Sequence, residues 1–144
     1  NQLFNNQNMK KLAYILLLFG ILTFCSCNNV EKSRKYFDEG VELMMIKGNF
    51  AAAEEAFNNA IKYDKKNPEL YYYLGCAIFN QARYKDALPA FEKAVELKPD
   101  YADAYLSMGR TYDCLYDNDM SCYYYRLAEK YGRANMHDLV KYCP

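Results

Sequence analysis

The sequence predicts an all-α fold, an α-solenoid of three helix pairs followed by a C-terminal capping helix. Two observations predict it. Equivalent side chains recur every 34 residues over most of the chain, and within each period the apolar residues fall at helical spacing. Composition agrees, because six Gly and four Pro in 144 residues are too few for a turn-rich β fold. The length suits one domain.

Columns of equivalent residues, 34 positions apart, define the repeat. Six columns share this period, and a stack of units buries the apolar face that a single unit leaves exposed. The columns are Ala60, Ala94 and Ala128; Phe57, Phe91 and Tyr125; Ala53, Ala87 and Ser121; Tyr71 and Tyr105; Leu74 and Met108; and Gly75 and Gly109.

Each period reads as two helices. In the second unit, Gly75 and Ala87 allow two helix backbones to approach closely, and Phe91 fills the space beside them. Pro89 lies inside a predicted helix, which should bend the helix or place the ring outward. The pattern predicts helices over residues 33–47, 50–63, 68–81, 84–97, 102–115 and 119–131.

The last repeat needs a cover for its apolar face, as solenoids require for solubility. Gly132 is expected to end the last repeat helix. Residues 133–142 are then predicted to form one more short helix, with Leu139 and Val140 facing inward.

The second unit resembles a tetratricopeptide repeat, with Tyr71 in place of the first Trp and Pro99 at the end. The resemblance covers about residues 34–131 and implies an α-solenoid that binds protein partners. If Gly40 matches Gly75, the first unit holds one extra residue before Gly48. The predicted repeat domain is 34–143, with units 34–67, 68–101 and 102–131 and a cap at 133–143.

The N-terminal residues resemble a targeting signal. Residues 1–8 precede Met9 and are interpreted as lying upstream of the true start. Two lysines and then a 13-residue apolar stretch predict a secretory signal peptide over 9–26, too short to span a membrane comfortably.

The end of this segment resembles a bacterial lipoprotein signal, because a small residue, Ser26, precedes a cysteine. Cys27 is then the lipidated first residue, with Cys25 the alternative, and residues 27–33 form a tether. The resemblance implies a lipid-anchored protein of the bacterial envelope, at the outer membrane or in the periplasm. Plain secretion and an uncleaved anchor are the other interpretations.

The concave face is the candidate partner site, because the first helix of each pair lines the inner surface of such a solenoid. An aromatic centre, Tyr72 and Phe79, with a rim of mixed charge suits an extended peptide or a partner helix. Alternatively, the capping helix or the N-terminal segment fills this groove. The predicted face comprises Phe37, Val41, Met44, Glu69, Tyr72, Cys76, Phe79, Asn80, Asp103, Leu106, Arg110 and Asp113.

Relatives that bind chaperone C-termini use a clamp of Lys, Asn and Arg on these helices. The matching positions of this chain lack the clamp, so a cytosolic co-chaperone role is not expected. These positions hold Tyr72, Tyr73, Cys76, Asp103 and Ser107.

Two tyrosine runs, 71–73 and 123–125, suggest a rival function. Tyr rings stack on sugars, so a glycan or cell-wall binding module is the alternative to a protein adaptor. Successive helix residues point about 100° apart, so neither run forms a single patch, and packing explains most of these tyrosines.

Other chemistry finds little support in the sequence. Formal net charge is zero, which does not suggest a nucleic-acid surface. His137 is the only His, and 117–119 reads as a turn and helix cap rather than a calcium loop. No nucleophile and base are proposed, so we expect no enzyme activity, cofactor or metal. Four more cysteines follow the predicted signal peptide, and the sequence allows two states for them. They form disulfides, with three possible full connectivities, or they are buried free thiols: Cys76, Cys114, Cys122 and Cys143.

Overall fold

The computed structural model describes Lys11, residues 28–141 and residue 143. These residues form helices and connecting turns, with no strand among them, which confirms the predicted α-solenoid of three helix pairs with a C-terminal helix. The described part of α1 is residues 28–45. The other helices are α2 (Phe50–Tyr63), α3 (Pro68–Phe79), α4 (Tyr84–Leu97), α5 (Ala102–Cys114), α6 (Asn118–Lys130) and α7 (His137–Val140).

Each helix packs against the next along the chain, from α2 through α7. The repeat columns supply the buried surface. All residues of the three columns with a member in every unit are at most 3 % exposed. The positions that repeat in the sequence are therefore the buried positions of the fold. Pro89 is exposed within α4, which confirms the expectation that its ring faces outward.

A glycine lies under an aromatic ring in every helix pair. A Cβ atom added to Gly40 would lie 2.6 Å from the ring of Phe57, and one added to Gly75 would lie 2.5 Å from that of Phe91. Gly109 meets Tyr125 in the same way. Gly40 is therefore the structural equivalent of Gly75, which confirms that the first pair holds one extra residue.

The turn inside each helix pair places its last residue in the left-handed region. Gly48, Ala82 and Tyr116 have φ of 62°, 58° and 60°. Each directly precedes the N-cap of the second helix of its pair. A residue with a Cβ atom pays about 1–2 kcal/mol in this conformation, whereas glycine does not.

Exchanging residues between two of these turns should therefore change stability in opposite directions. Ala82→Gly is expected to raise the free energy of unfolding by about 1 kcal/mol, because it relieves the left-handed alanine. Gly48→Ala is the matched control and should lower it by a similar amount, since nothing lies within 4 Å of the added Cβ. Urea denaturation followed by circular dichroism measures both. A change of the same sign in the two variants would contradict this strain.

The C-terminal helix is shorter than predicted. It spans only His137–Val140, because Gly132 and Asn135 adopt φ of 96° and 61° in the segment before it. Val140 packs against the core, as expected, but the inward placement of Leu139 is wrong, since this residue is 40 % exposed. A residue outside the helix, Met136 (3 % exposed), fills the interior instead.

Residues 28–33 were expected to belong to a tether, yet they are helical. The physical reason is packing against α2: Ser33 is buried, and its hydroxyl donates a hydrogen bond to the carbonyl oxygen of Ala60 (3.0 Å). The signal-peptide prediction, including Cys25 and Cys27, concerns residues outside the described part of the chain. Within that part, none of the helices combines the length and the apolar character that a membrane span requires.

Candidate functional site

A cavity of about 190 Å³ opens between α3 and α5, on the face predicted to bind a partner. We call this region the α3–α5 groove. Five of the predicted residues line it, together with two that the repeat pattern did not single out for this face. The lining residues are Tyr72, Cys76, Phe79, Asn80, Phe91, Ser107 and Arg110.

Helical spacing brings these side chains together. Helix α3 begins where Asn67 caps it, its side chain accepting a hydrogen bond from the backbone N–H of Glu69 (3.0 Å), with Pro68 in the first turn. Tyr72, Cys76 and Asn80 then follow at steps of four and so share one face. Helix α5 presents Ser107 and Arg110 from the other side of the groove.

Two residues predicted for this face are instead part of the core. Met44 and Leu106 are only 8 % and 6 % exposed, so their assignment to a partner-binding surface is wrong. Phe37 and Val41 are half-buried and pack on the same core as Met44. The cause is the orientation of α1 and α5, whose apolar stripes are wider than the repeat columns indicate.

The predicted acidic residues have other partners. Asp103 forms an ion pair with Arg133 (2.7 Å), and Asp113 accepts hydrogen bonds from the hydroxyls of Ser121 and Tyr125. Glu69 is exposed and lines a separate cavity of about 350 Å³ beside α1. The rim of the α3–α5 groove is therefore less acidic than the sequence indicated.

The aromatic rings of Tyr72, Phe79 and Phe91 line one wall of the groove, and Tyr72 packs against further rings. The Tyr72 ring lies 5.1 Å from that of Tyr101, 5.4 Å from Tyr73 and 6.2 Å from Phe91. Burial raises the pKa of the Tyr72 hydroxyl well above its ordinary value. This hydroxyl therefore stays protonated across the physiological range and can donate a hydrogen bond. Tyr101, the N-cap residue of α5, supports the Tyr72 ring from outside the set of residues that line the groove.

Cys76 is a partly buried cysteine whose thiol is less acidic than usual. Burial raises the pKa of its thiol to about 11, although hydrogen bonds with Tyr72 and Ser107 act in the opposite direction. Because the thiolate is the reactive form of cysteine, a protonated thiol is a poor nucleophile at neutral pH. This disfavours a redox function for Cys76.

Alkylation of Cys76 should accordingly be slow and strongly pH-dependent. We expect iodoacetamide to label it more than about 100-fold slower at pH 8 than a free cysteine, because a pKa raised from 8.5 leaves far less thiolate. The rate should rise about tenfold per pH unit up to pH 10. Peptide mass spectrometry separates Cys76 from Cys114, and labelling in urea provides the unfolded control. Equal rates in the folded and unfolded chain would contradict the burial.

Most tyrosines of the two runs are occupied by packing, and Tyr123 (55 % exposed) is the exception. Tyr105 stacks on Tyr131 and Tyr124, and Tyr124 stacks on Tyr112, with centroid distances of 5.3–6.4 Å. The hydroxyl of Tyr71 donates to the carbonyl oxygen of Lys65 (3.1 Å). Because rings that cover one another offer few free faces, this arrangement does not favour the glycan interpretation.

The described residues offer no cluster of side chains for a metal ion, calcium included. They contain no group of three or more His, Cys, Asp or Glu side chains placed to hold an ion. Asp117 instead caps α6, its side chain accepting a hydrogen bond from the backbone N–H of Met120 (3.1 Å). This confirms the interpretation of 117–119 as a turn and helix cap.

Comparison with known proteins points to one repeat family. The family model described as tetratricopeptide repeat matches residues 47–102 and, in an overlapping match, 75–112. Tetratricopeptide repeat protein 13 of Homo sapiens is 32 % identical over 80 residues, 56 % of this chain and 9 % of that protein. The Hsp70-Hsp90 organizing protein of Triticum aestivum is 42 % identical over 62 residues, 43 % of this chain and 11 % of that protein. This chain thus spans about a tenth of either relative.

A solved structure shows the same fold. It is the first TPR of Spaghetti (RPAP3), bound to the HSP90 peptide SRMEEVD, with a TM-score of 0.72 and 18 % sequence identity. The alignment covers 78 % of this chain and 90 % of that chain. At this level of identity the likeness concerns the fold.

Proposed function

We propose that this chain is a non-enzymatic protein-interaction module that binds an extended peptide segment of a partner. Its match to the tetratricopeptide repeat model supports this proposal. The observation that carries the proposal is the α3–α5 groove, a cavity of about 190 Å³ with an aromatic wall and one arginine, Arg110, in its lining. Small concave sites with apolar walls and a few polar groups are typical of ligand recognition. No cofactor or nucleic acid is part of the proposal.

The chemistry of the groove separates it from chaperone-tail binders. A structure of the same fold holds the acidic peptide SRMEEVD, which supports the peptide as the class of ligand. In this chain the clamp positions hold Tyr72, Cys76 and Asp103 rather than cations, and Asp103 is already paired with Arg133. We propose a different peptide, bound by aromatic contacts and by Arg110.

We further propose that the module is anchored in a bacterial envelope through a lipid on Cys27, with Cys25 the alternative. The positively charged start and apolar stretch before these cysteines support it. The disulfide between Cys122 and Cys143 also supports it, because structural disulfides persist mainly outside the reducing cytoplasm. Lipid chains would tether the repeats to the bilayer without a spanning helix. Metabolic labelling with a radioactive fatty acid tests it, and label that persists in a Cys27→Ser/Cys25→Ser variant would contradict it.

Photocrosslinking in living cells tests the binding surface. A photoreactive residue replaces Tyr72, and a second variant with the same residue at the exposed Lys130 serves as the outward control. We expect Tyr72 to capture one protein that Lys130 does not. The double variant Tyr72→Ala/Phe79→Ala should then lose binding of that protein and keep its helicity. Equal capture at both positions, or unchanged affinity in the double variant, would overturn the groove assignment.

A further inference from the structure

A second cavity shares Arg110 with the α3–α5 groove. This second cavity measures about 550 Å³ and lies between α5 and the C-terminal segment. Leu139 is the exposed apolar residue of its lining, since Leu106 and Met136, which also line it, belong to the core. The two cavities adjoin at Arg110, with aromatic rings on one side of this residue and Leu139 on the other, and we call them together the track.

Arg110 is available for an ion pair with a ligand. Its side chain is exposed and makes no hydrogen bond or ion pair with another residue in the described part of the chain. The other arginine of the track, Arg133, is committed to Asp103 at 2.7 Å. A guanidinium with free donors matches the geometry of a carboxylate and binds it in a bidentate manner.

Neutral donors stand beside this cation. The hydroxyls of Tyr72 and Ser107 line the same cavity as Arg110, and both can donate to a carboxylate oxygen. Two acidic residues lie on the same helix as Arg110. Asp103 is four residues before Ser107, and Asp113 is three residues after Arg110. Asp113 lowers the local positive potential, whereas Asp103 is compensated by Arg133, and this balance suits a single negative charge better than a doubly charged phosphate.

We infer that the track recognises a partner segment in which one Asp or Glu is flanked on both sides by apolar side chains. This inference rests on the proposed function and specifies its ligand. The carboxylate binds Arg110, one apolar side chain enters the cavity beside Tyr72 and Phe79, and the other contacts Leu139. The C-terminal segment, which the disulfide ties to α6, is therefore part of the binding surface.

Selection from a random library tests this ligand chemistry. Random nine-residue peptides are displayed and selected against the full chain purified in detergent. We expect the enriched peptides to share an Asp or Glu between two apolar residues. Enrichment should disappear with the Tyr72→Ala/Phe79→Ala variant, whose circular dichroism spectrum verifies that it is folded.

A double-mutant cycle with the strongest selected peptide then identifies the ion pair. Replacing its acidic residue by the amide should weaken binding about tenfold, as should Arg110→Gln in the protein, and the two changes together should weaken it no further. Lys85→Gln, an exposed change on α4, is the charge-matched control and should leave affinity unchanged. Raising the salt concentration should weaken binding between the native chain and the acidic peptide, and should leave the combinations that lack one of the two charges unchanged.

The possible failures are distinguishable. Peptides that are enriched through Tyr72 and Phe79 but bind Arg110→Gln as tightly as the native chain would overturn this inference and leave the proposed function standing. A library that yields no peptide dependent on Tyr72 and Phe79 would overturn the proposed function, and the inference with it.

Discussion

Phe91→Ala is expected to lower the free energy of unfolding by about 3–5 kcal/mol. The ring is 1 % exposed, covers Gly75 and packs beside Tyr72, so its loss leaves a cavity where the second and third helix pairs meet. Because repeats are stabilised by their neighbours, this loss should affect the whole solenoid. Denaturation in urea, followed by circular dichroism, measures it.

The contact between Phe91 and Gly75 provides a sharper test of the same packing. Gly75→Ala alone should cost about 1–3 kcal/mol, since its Cβ would lie 2.5 Å from the ring. In the Phe91→Ala background the same change should be neutral or stabilising, because alanine is the better helix former by about 1 kcal/mol. Additive effects in the double variant would contradict the packing described here.

Cys143→Ser is expected to lower the free energy of unfolding of the C-terminal repeat by about 3 kcal/mol. The disulfide to Cys122 closes a loop of 21 residues that contains α7 and its buried Met136. Without this bond the unfolded chain gains conformational freedom, and the segment covering the last repeat can detach. Urea denaturation with and without dithiothreitol measures the loss, and binding of an apolar dye reports exposure of the covered face.

Cys114→Ser is the matched control for the disulfide. Cys114 is a free, partly buried thiol on the neighbouring helix, so this variant should remain sensitive to dithiothreitol, whereas Cys143→Ser should not. If reduction leaves the native chain unchanged, the bond does not hold the C-terminal segment in place. The selected peptides should also bind Cys143→Ser more weakly, because the segment lines the second cavity.

Much of the fold was predictable from a few residue types at one spacing. Alanines such as Ala94, glycines such as Gly75 and rings such as Phe91 are restricted by close helix packing, and few other residues fit these positions. Even the extra residue of the first pair was visible, because Gly40 must lie under Phe57. A local pattern succeeds here since each helix contacts mainly its neighbours in the chain.

The candidate site was predicted only in part. Tyr72, Cys76, Phe79, Asn80 and Arg110 come together as expected, since helical spacing determines which side chains share a face. Helical spacing does not determine how far each helix rotates toward its neighbours. For that reason Met44 and Leu106 are in the core and not on the surface.

The sequence by itself determined the repeat, the order of the helices and the residues at their closest contacts. Only the tertiary structure decided which cysteines pair, that Met136 replaces Leu139 in the interior, and that Arg110 lines two cavities. The first set depends on contacts between adjacent helices, which a period of 34 residues records. The second set depends on how the chain turns after its last repeat, where that periodicity has ended and local packing determines each position.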